Sequence, residues 1–366
     1  MSDADVLDTR PTKCTRVSAD DPSPSHSHSP ESSSTPPDSN LQRHSDIWFN
    51  DGNIVLVAGG TAFRIYRGLL ASQSTVFSDM FASSTSSPDE IFDGCPIIHL
   101  SDSPHTLAYL LRVLLPNSRI HYHMTRANPI RTFDELSAVI RLAHKYHISQ
   151  VQEQALALLK KYSLNATSIT TYSSPPPHSQ LILDPRLNIG VVNLARLTDT
   201  PSLLPLALYC CTYLGGDLFD GWTHEDGTIE HLSEPDIHRC VDARAVLMHE
   251  HTLFLSSLFD DTVSADCGRP HHCAPNLRQA QRNAVCSKEL ALEMDALKNW
   301  DEVVKLLGDG GVGRLCRCCI DELLERNEKG RKKIFDKLPE IFVITVEGWG
   351  VEPSETDDNV VAAEGE

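Results

Sequence analysis

The chain has 366 residues, a formal net charge of −18 and 40% hydrophobic residues. That length leaves room for two domains with flexible ends, and the apolar content is enough for ordinary cores. The acidic balance argues against a direct nucleic-acid binder, because phosphate contacts need a basic face.

Residues 1–44 are rich in Ser, Pro and Asp, with Ser-Pro pairs at Ser23-Pro24 and Ser29-Pro30. Such a segment buries too little apolar surface to offset its ordering entropy, so the composition predicts a disordered tail. The first residues lack the basic and apolar regions of a signal peptide. Residues 203–214 form an apolar run too short for a membrane helix, and Pro205 interrupts it. A soluble intracellular protein, cytoplasmic and/or nuclear, is expected. In that setting eleven cysteines read as thiols or metal ligands rather than a disulfide framework.

The organising stretch follows. An apolar run at 54–57, a Gly59-Gly60 turn and the alternation of Phe63 and Ile65 with Ala62 and Arg64 predict a β-hairpin. The period then changes from two to about 3.6. Leu69 and Leu70 open a short helical segment, Ser74 is a plausible cap, and Val76, Phe77, Met80 and Phe81 share an apolar face. Residues 83–93 read as a loop, 97–100 as a strand and 106–115 as a helix stopped by Pro116. A longer loop is expected at 119–131, where His121 and His123 lack further ligands placed by sequence. Amphipathic helices follow at 133–146, with Leu136, Val139, Ile140 and Ala143 inward, and at 151–162, with Val151, Ala155, Leu158 and Leu159 inward.

The ordered strings Asp46-Ile47-Trp48-Phe49, Asp51-Gly52-Asn53-Ile54-Val55-Leu56, Phe63-x-Ile65-Tyr66-Arg67-x-Leu69, Ser74-x-x-Phe77, Met80-Phe81 and Ala143-His144-Lys145-Tyr146-His147-Ile148 resemble a BTB/POZ domain. The form common in mushroom-type (basidiomycete) fungi is the most similar, although many members carry His where this chain has Tyr66. The resemblance implies an α/β fold, a small sheet surrounded by helices, over 45–165. It further implies a non-enzymatic protein-protein interaction module that self-associates as a homodimer. Asp46, Tyr66, Arg67, Leu69, Phe77, Met80 and Phe81 would then lie at or near a dimer or partner interface. A narrower alternative is a substrate adaptor for a cullin-type ubiquitin ligase, docking the scaffold near Met80-Phe81. The acidic residue that often follows is replaced here by Ala82-Ser83-Ser84. A transcription or chromatin co-regulator is the third reading, without a DNA-reading module of its own.

Ser173-Ser174-Pro175-Pro176-Pro177 marks a linker, taken as 166–180. A mostly α-helical second domain is expected over 181–346, with helices at 189–197, 203–213, 236–258, 279–307 and 315–338. A short strand is expected at 342–346, and an acidic disordered tail closes the chain. The string at 308–313 has the spacing of a dinucleotide loop, but a helix precedes it where that motif needs a strand. No cofactor is expected, with one candidate exception. Cys267 and Cys273, together with the Cys316-x-x-Cys319 pair, make a candidate zinc set, which His271 or His272 would tighten; the alternative is ordinary buried cysteines on a helix. The basic residues Arg326, Lys329, Arg331, Lys332, Lys333 and Lys337 suggest an import signal or, more simply, a solvated helix face.

Overall fold

The structure is a computed structural model. It describes residues 41–83, 90–115, 132–162, 184–286, 295–309 and 315–350. The expected loop at 119–131, the 166–180 linker, most of the Gly-rich string and the C-terminal tail lie outside these residues.

Strand β2 (Ile54–Ala58) and β3 (Thr61–Ile65) form the expected antiparallel hairpin. Its two-residue turn puts Gly59 and Gly60 at φ +50° and +83°. A turn with both central residues left-handed matches the twist of the flanking strands, and glycine adopts it without steric cost. β2 is buried on both faces. Ile54, Leu56 and Ala58 point into the main core, whereas Val55 and Val57 join a second cluster with Ala62 and Cys95, covered by Leu41, Trp48 and Phe92. That explains a continuous apolar run where a half-exposed strand would alternate with polar residues.

The sheet order is β1-β3-β2-β5-β4, where β1 is Gln42–Trp48, β4 is Ile91–Phe92 and β5 is Cys95–Leu100. β5 runs parallel to β2, so the chain must cross over between them. Helices α1 (Arg67–Gln73) and α2 (Thr75–Ser83) occupy that crossover. Ser74 joins them: its Oγ accepts from the Phe77 N–H at 3.0 Å and donates to the Tyr146 carbonyl at 2.5 Å. Two expectations change here. β1 begins at Gln42, inside the stretch assigned by composition to the tail, because pairing with β3 supplies order that local sequence does not. β4 falls within the expected 83–93 loop, as a two-residue partner of β5.

Helices α3 (Pro104–Leu114), α4 (Phe133–Lys145) and α5 (Ser149–Tyr162) complete this part. Ser103 caps α3 ahead of Pro104, and Thr132 with Glu135 forms a reciprocal capping box on α4.

The second part is helical: α6 (Leu187–Leu197), a 3₁₀ turn at Pro201–Leu203, α7 (Leu204–Thr212), α8 (Asp217–Asp220), α9 (Glu234–Leu258), α10 (Pro270–Cys286), α11 (Asp301–Asp309) and α12 (Arg317–Ile341). All of α7 is buried, among α6, α9 and α12. A helix apolar all round needs neighbours all round. Between α8 and α9 a short hairpin forms, β6 (Trp222–Thr223) with β7 (Ile229–Glu230). The apolar core runs without a break from the sheet part into this helical part.

The expected helix at 279–307 is divided. Residues 295–300 are not helical, and the Asn299 Oδ1 accepts from the Asp301 N–H at 3.0 Å to start α11 afresh. The expected strand at 342–346 is instead the end of α12. Val343 adopts φ +52°, and the Ile344 N–H reaches back to the Pro339 carbonyl at 2.9 Å. That is a left-handed helix cap, with Phe342 fully buried and Val343 80% exposed. No helix among the described residues is long and apolar enough to cross a membrane.

Candidate functional site

The first candidate surface is the β1 edge with the α1–α2 pair. Asp46 is exposed on β1 and lies 3.6 Å from Arg112. Tyr66 donates its hydroxyl to Asp51 at 2.8 Å and leans on the Phe49 ring; that hydrogen bond raises its pKa above the ordinary tyrosine value. Arg67 donates to the Phe81 carbonyl at 2.9 Å with its guanidinium 5.6 Å from that ring. Leu69 and Met80 are half-buried. Phe77 and Phe81, by contrast, are interior, at 0% and 2% exposure. Phe77 stacks on Tyr146 at 4.4 Å and on Phe81 at 5.8 Å. These two phenylalanines hold α2 onto the core and present no side chain to a partner, because they lie on the inward stripe of a helix whose outward positions are Thr75, Ser78, Asp79 and Ala82.

A second feature is the junction between the two parts. Phe133 of α4 packs edge-on against Trp222 of β6 at 5.1 Å. His224 sits beside Trp222 and between two carboxylates, Nδ1 at 2.6 Å from Asp134 and Nε2 at 3.0 Å from Glu230. Glu230 also accepts from Arg141 at 2.5 Å and from Asn193 at 2.7 Å. A cleft of about 380 Å³ opens beside them, lined by His105, Tyr109, Asp134, Arg141, His224 and Glu225 among others. With both ring nitrogens on carboxylates, His224 has none left for a reacting group, so the arrangement works as a clamp between α4 and the β6–β7 hairpin. Nothing in the sequence flagged these residues, because Asp134 and His224 are brought together across 90 positions.

The third is the cysteine cluster. The ligand atoms of Cys267, Cys273, Cys316 and Cys319 all lie within 4.8 Å of one another, and Cys316 Sγ is 3.6 Å from Cys267 Sγ. Cys267 comes from the loop after α9, Cys273 from the first turn of α10, and Cys316 and Cys319 from the N-cap and first turn of α12. His271 and His272, candidates by sequence for tightening the upstream pair, are exposed and outside the group. Burial pushes the Cys316 thiol up, but hydrogen bonds from the Cys319 N–H and the surrounding thiols outweigh it and hold it at about 7. Burial raises Cys273 and Cys319. Elsewhere Cys210 is pushed up to about 12 by burial and behaves as a small core hydrophobe.

The basic stretch of α12 is mostly engaged. Arg331 is buried and donates to the Leu297 carbonyl at 2.8 Å, Lys337 pairs with Glu250 at 2.7 Å, and Arg326 reaches Glu322 and two loop carbonyls. Lys329 pairs with Glu325 and Lys332 with Asp336 along the helix. Lys337 thereby engages Glu250 of α9, and the neighbouring His251 is buried.

A mixed sheet with a helical crossover, closed by the capped helices α3 and α4, defines the architecture of this part. Residues 48–163, roughly a third of the chain, match the BTB/POZ domain family. The chain thus carries a BTB/POZ domain, a protein-protein interaction module that is typically non-catalytic. No curated protein matches the chain.

Proposed function

We propose that the protein is a non-enzymatic scaffold that self-associates through its BTB/POZ domain and presents the helical part to other proteins. The observation that carries this reading is the BTB/POZ match together with the position of β1 at the outer edge of the sheet. An edge strand leaves backbone groups on its outer side for a second chain. Its side chains are mostly exposed; Asp46 lies on β1, Tyr66 caps α1, Arg67 and Leu69 lie on α1, and Met80 lies on α2. The chain is read as the form common in basidiomycete fungi on the strings that carry that resemblance, and as acting inside the cell.

Sedimentation of the full chain at micromolar concentration tests the reading. A dimer is expected, and Asp46→Arg should weaken it tenfold or more while leaving the melting temperature within about 1 °C, since an exposed ion pair contributes little to folding. A monomer at tens of micromolar would remove the self-association claim. The adaptor alternative now depends on Met80, because Phe81 is core. Purification of the tagged protein from its own cells should recover non-ligase partners; recovery of a cullin that is lost in Met80→Asp would replace the scaffold reading with the adaptor one.

A further inference from the structure

We infer that Cys267, Cys273, Cys316 and Cys319 bind one zinc ion as a closed tetrathiolate site that fastens the α9–α10 loop and the start of α10 to the start of α12. The geometry is the first argument. Four thiolates around zinc at about 2.3 Å form a tetrahedron whose edge is about 3.8 Å. The Cys316 and Cys267 sulfurs at 3.6 Å, and all four sulfurs within 4.8 Å of one another, fit that value. A multi-iron cluster must also enclose bridging sulfides and needs its ligands farther apart, so the spacing fits a single ion.

Hydrogen bonding gives a second argument. A peptide N–H is aimed at one of the sulfurs, Cys316 N donating to Cys273 Sγ at 3.5 Å. Thiols are weak acceptors, whereas thiolates accept well. Two helix N-termini also meet here, and their positive ends favour negative sulfur. Four adjacent thiolates would repel one another without a cation, and a divalent ion reduces the site to a net −2 that this N–H and the helix N-termini then face.

Zinc is favoured over other ions because four soft sulfur ligands in tetrahedral array suit it, and all four positions are filled by protein. Such a site is structural. On binding, each thiol still protonated releases its proton to water as its sulfur bonds the metal; no electrons move. The loop is further tied to the helix where Arg326 donates to the Thr262 carbonyl at 2.8 Å and to the Asp260 carbonyl at 3.4 Å, so the metal site and this arginine bracket it. Nothing in the site touches the BTB surface, so its failure and that of the self-association reading are separable.

The test is elemental analysis and sulfur-edge and zinc-edge X-ray absorption on the full chain purified without chelator. One zinc per chain with four sulfur neighbours is expected. Cys316→Ser with Cys319→Ser should lose it, while Cys318→Ser and Cys286→Ser, both outside the cluster, should keep it. Should the double variant fail to fold, the wild-type stoichiometry and ligand count decide alone. Absence of zinc with four free thiols, a disulfide among these cysteines, bound iron, or zinc with nitrogen ligands would each overturn the inference.

Discussion

Gly190 sits where the two parts of the molecule meet. A Cβ built there would come 2.7 Å from Trp222 Cζ3 and 2.8 Å from Phe133 Cε1. Carbon atoms pack best at about 3.5–4.0 Å, so Gly190→Ala would bring two contacts about an ångström too close. Trp222 and Phe133 are 4% and 3% exposed and pack on each other, so neither ring has space to withdraw. Overpacking of this kind costs about 1–3 kcal/mol, and two simultaneous clashes with rigid rings argue for the upper end. Alanine recovers up to about 1 kcal/mol of helix propensity, leaving a net loss of about 2 kcal/mol. Gly68→Ala is the internal control: it lies in α1, and a Cβ there meets nothing within 4 Å. That substitution should stabilise by about 0.5–1 kcal/mol. Urea unfolding of both variants, followed by tryptophan fluorescence, measures the difference. If Gly190→Ala unfolds at the same or higher urea than Gly68→Ala, the tight α4–α6–β6 junction described above is wrong.

Two more variants probe other parts of the helical region. Asp236 is 2% exposed and lies 2.7 Å from Arg196 and 3.1 Å from Arg239. Burial alone would raise its carboxyl, but Arg196 with Ser233 and Arg239 holds it below the ordinary value of 3.8. A depressed folded pKa gives stability that is present above about pH 4 and lost as pH falls through the folded value. Asp236→Asn should therefore cost about 1–3 kcal/mol at neutral pH and flatten the acid limb of a stability–pH curve; the arginines are 40% and 31% exposed, so rehydration keeps the cost below that of a fully buried pair. An unchanged acid limb would refute the assignment. Val343, β-branched at φ +52° and 80% exposed, makes a simpler case. Val343→Gly should raise stability by about 1 kcal/mol, read as a higher thermal midpoint, since relief of the left-handed strain exceeds the added freedom of the unfolded chain. A lower midpoint would mean that the α12 cap is not the one described.

Much of the molecule follows from local pattern alone. The hairpin around Gly59-Gly60 and the inward stripes of α4 and α5 repeat at periods of two or 3.6, and Ser74 stands as a cap just before α2, so each is legible in a dozen residues. The cysteine candidates were legible as residue types, because sulfur ligands come in short spacings. What local pattern does not carry is which side of a helix finds a neighbour and which distant groups meet. Phe77 and Phe81 belong to the same apolar stripe as the half-buried Met80, and only packing against Tyr146 and the sheet made the first two core. β1 has little apolar content, and pairing with β3 decided its conformation. The His224 clamp joins side chains from Asp134 to Glu230, and the sulfur group joins Cys267 to Cys319. Sequence separation of that size carries no spacing signal, so tertiary structure alone could bring those groups within bonding distance.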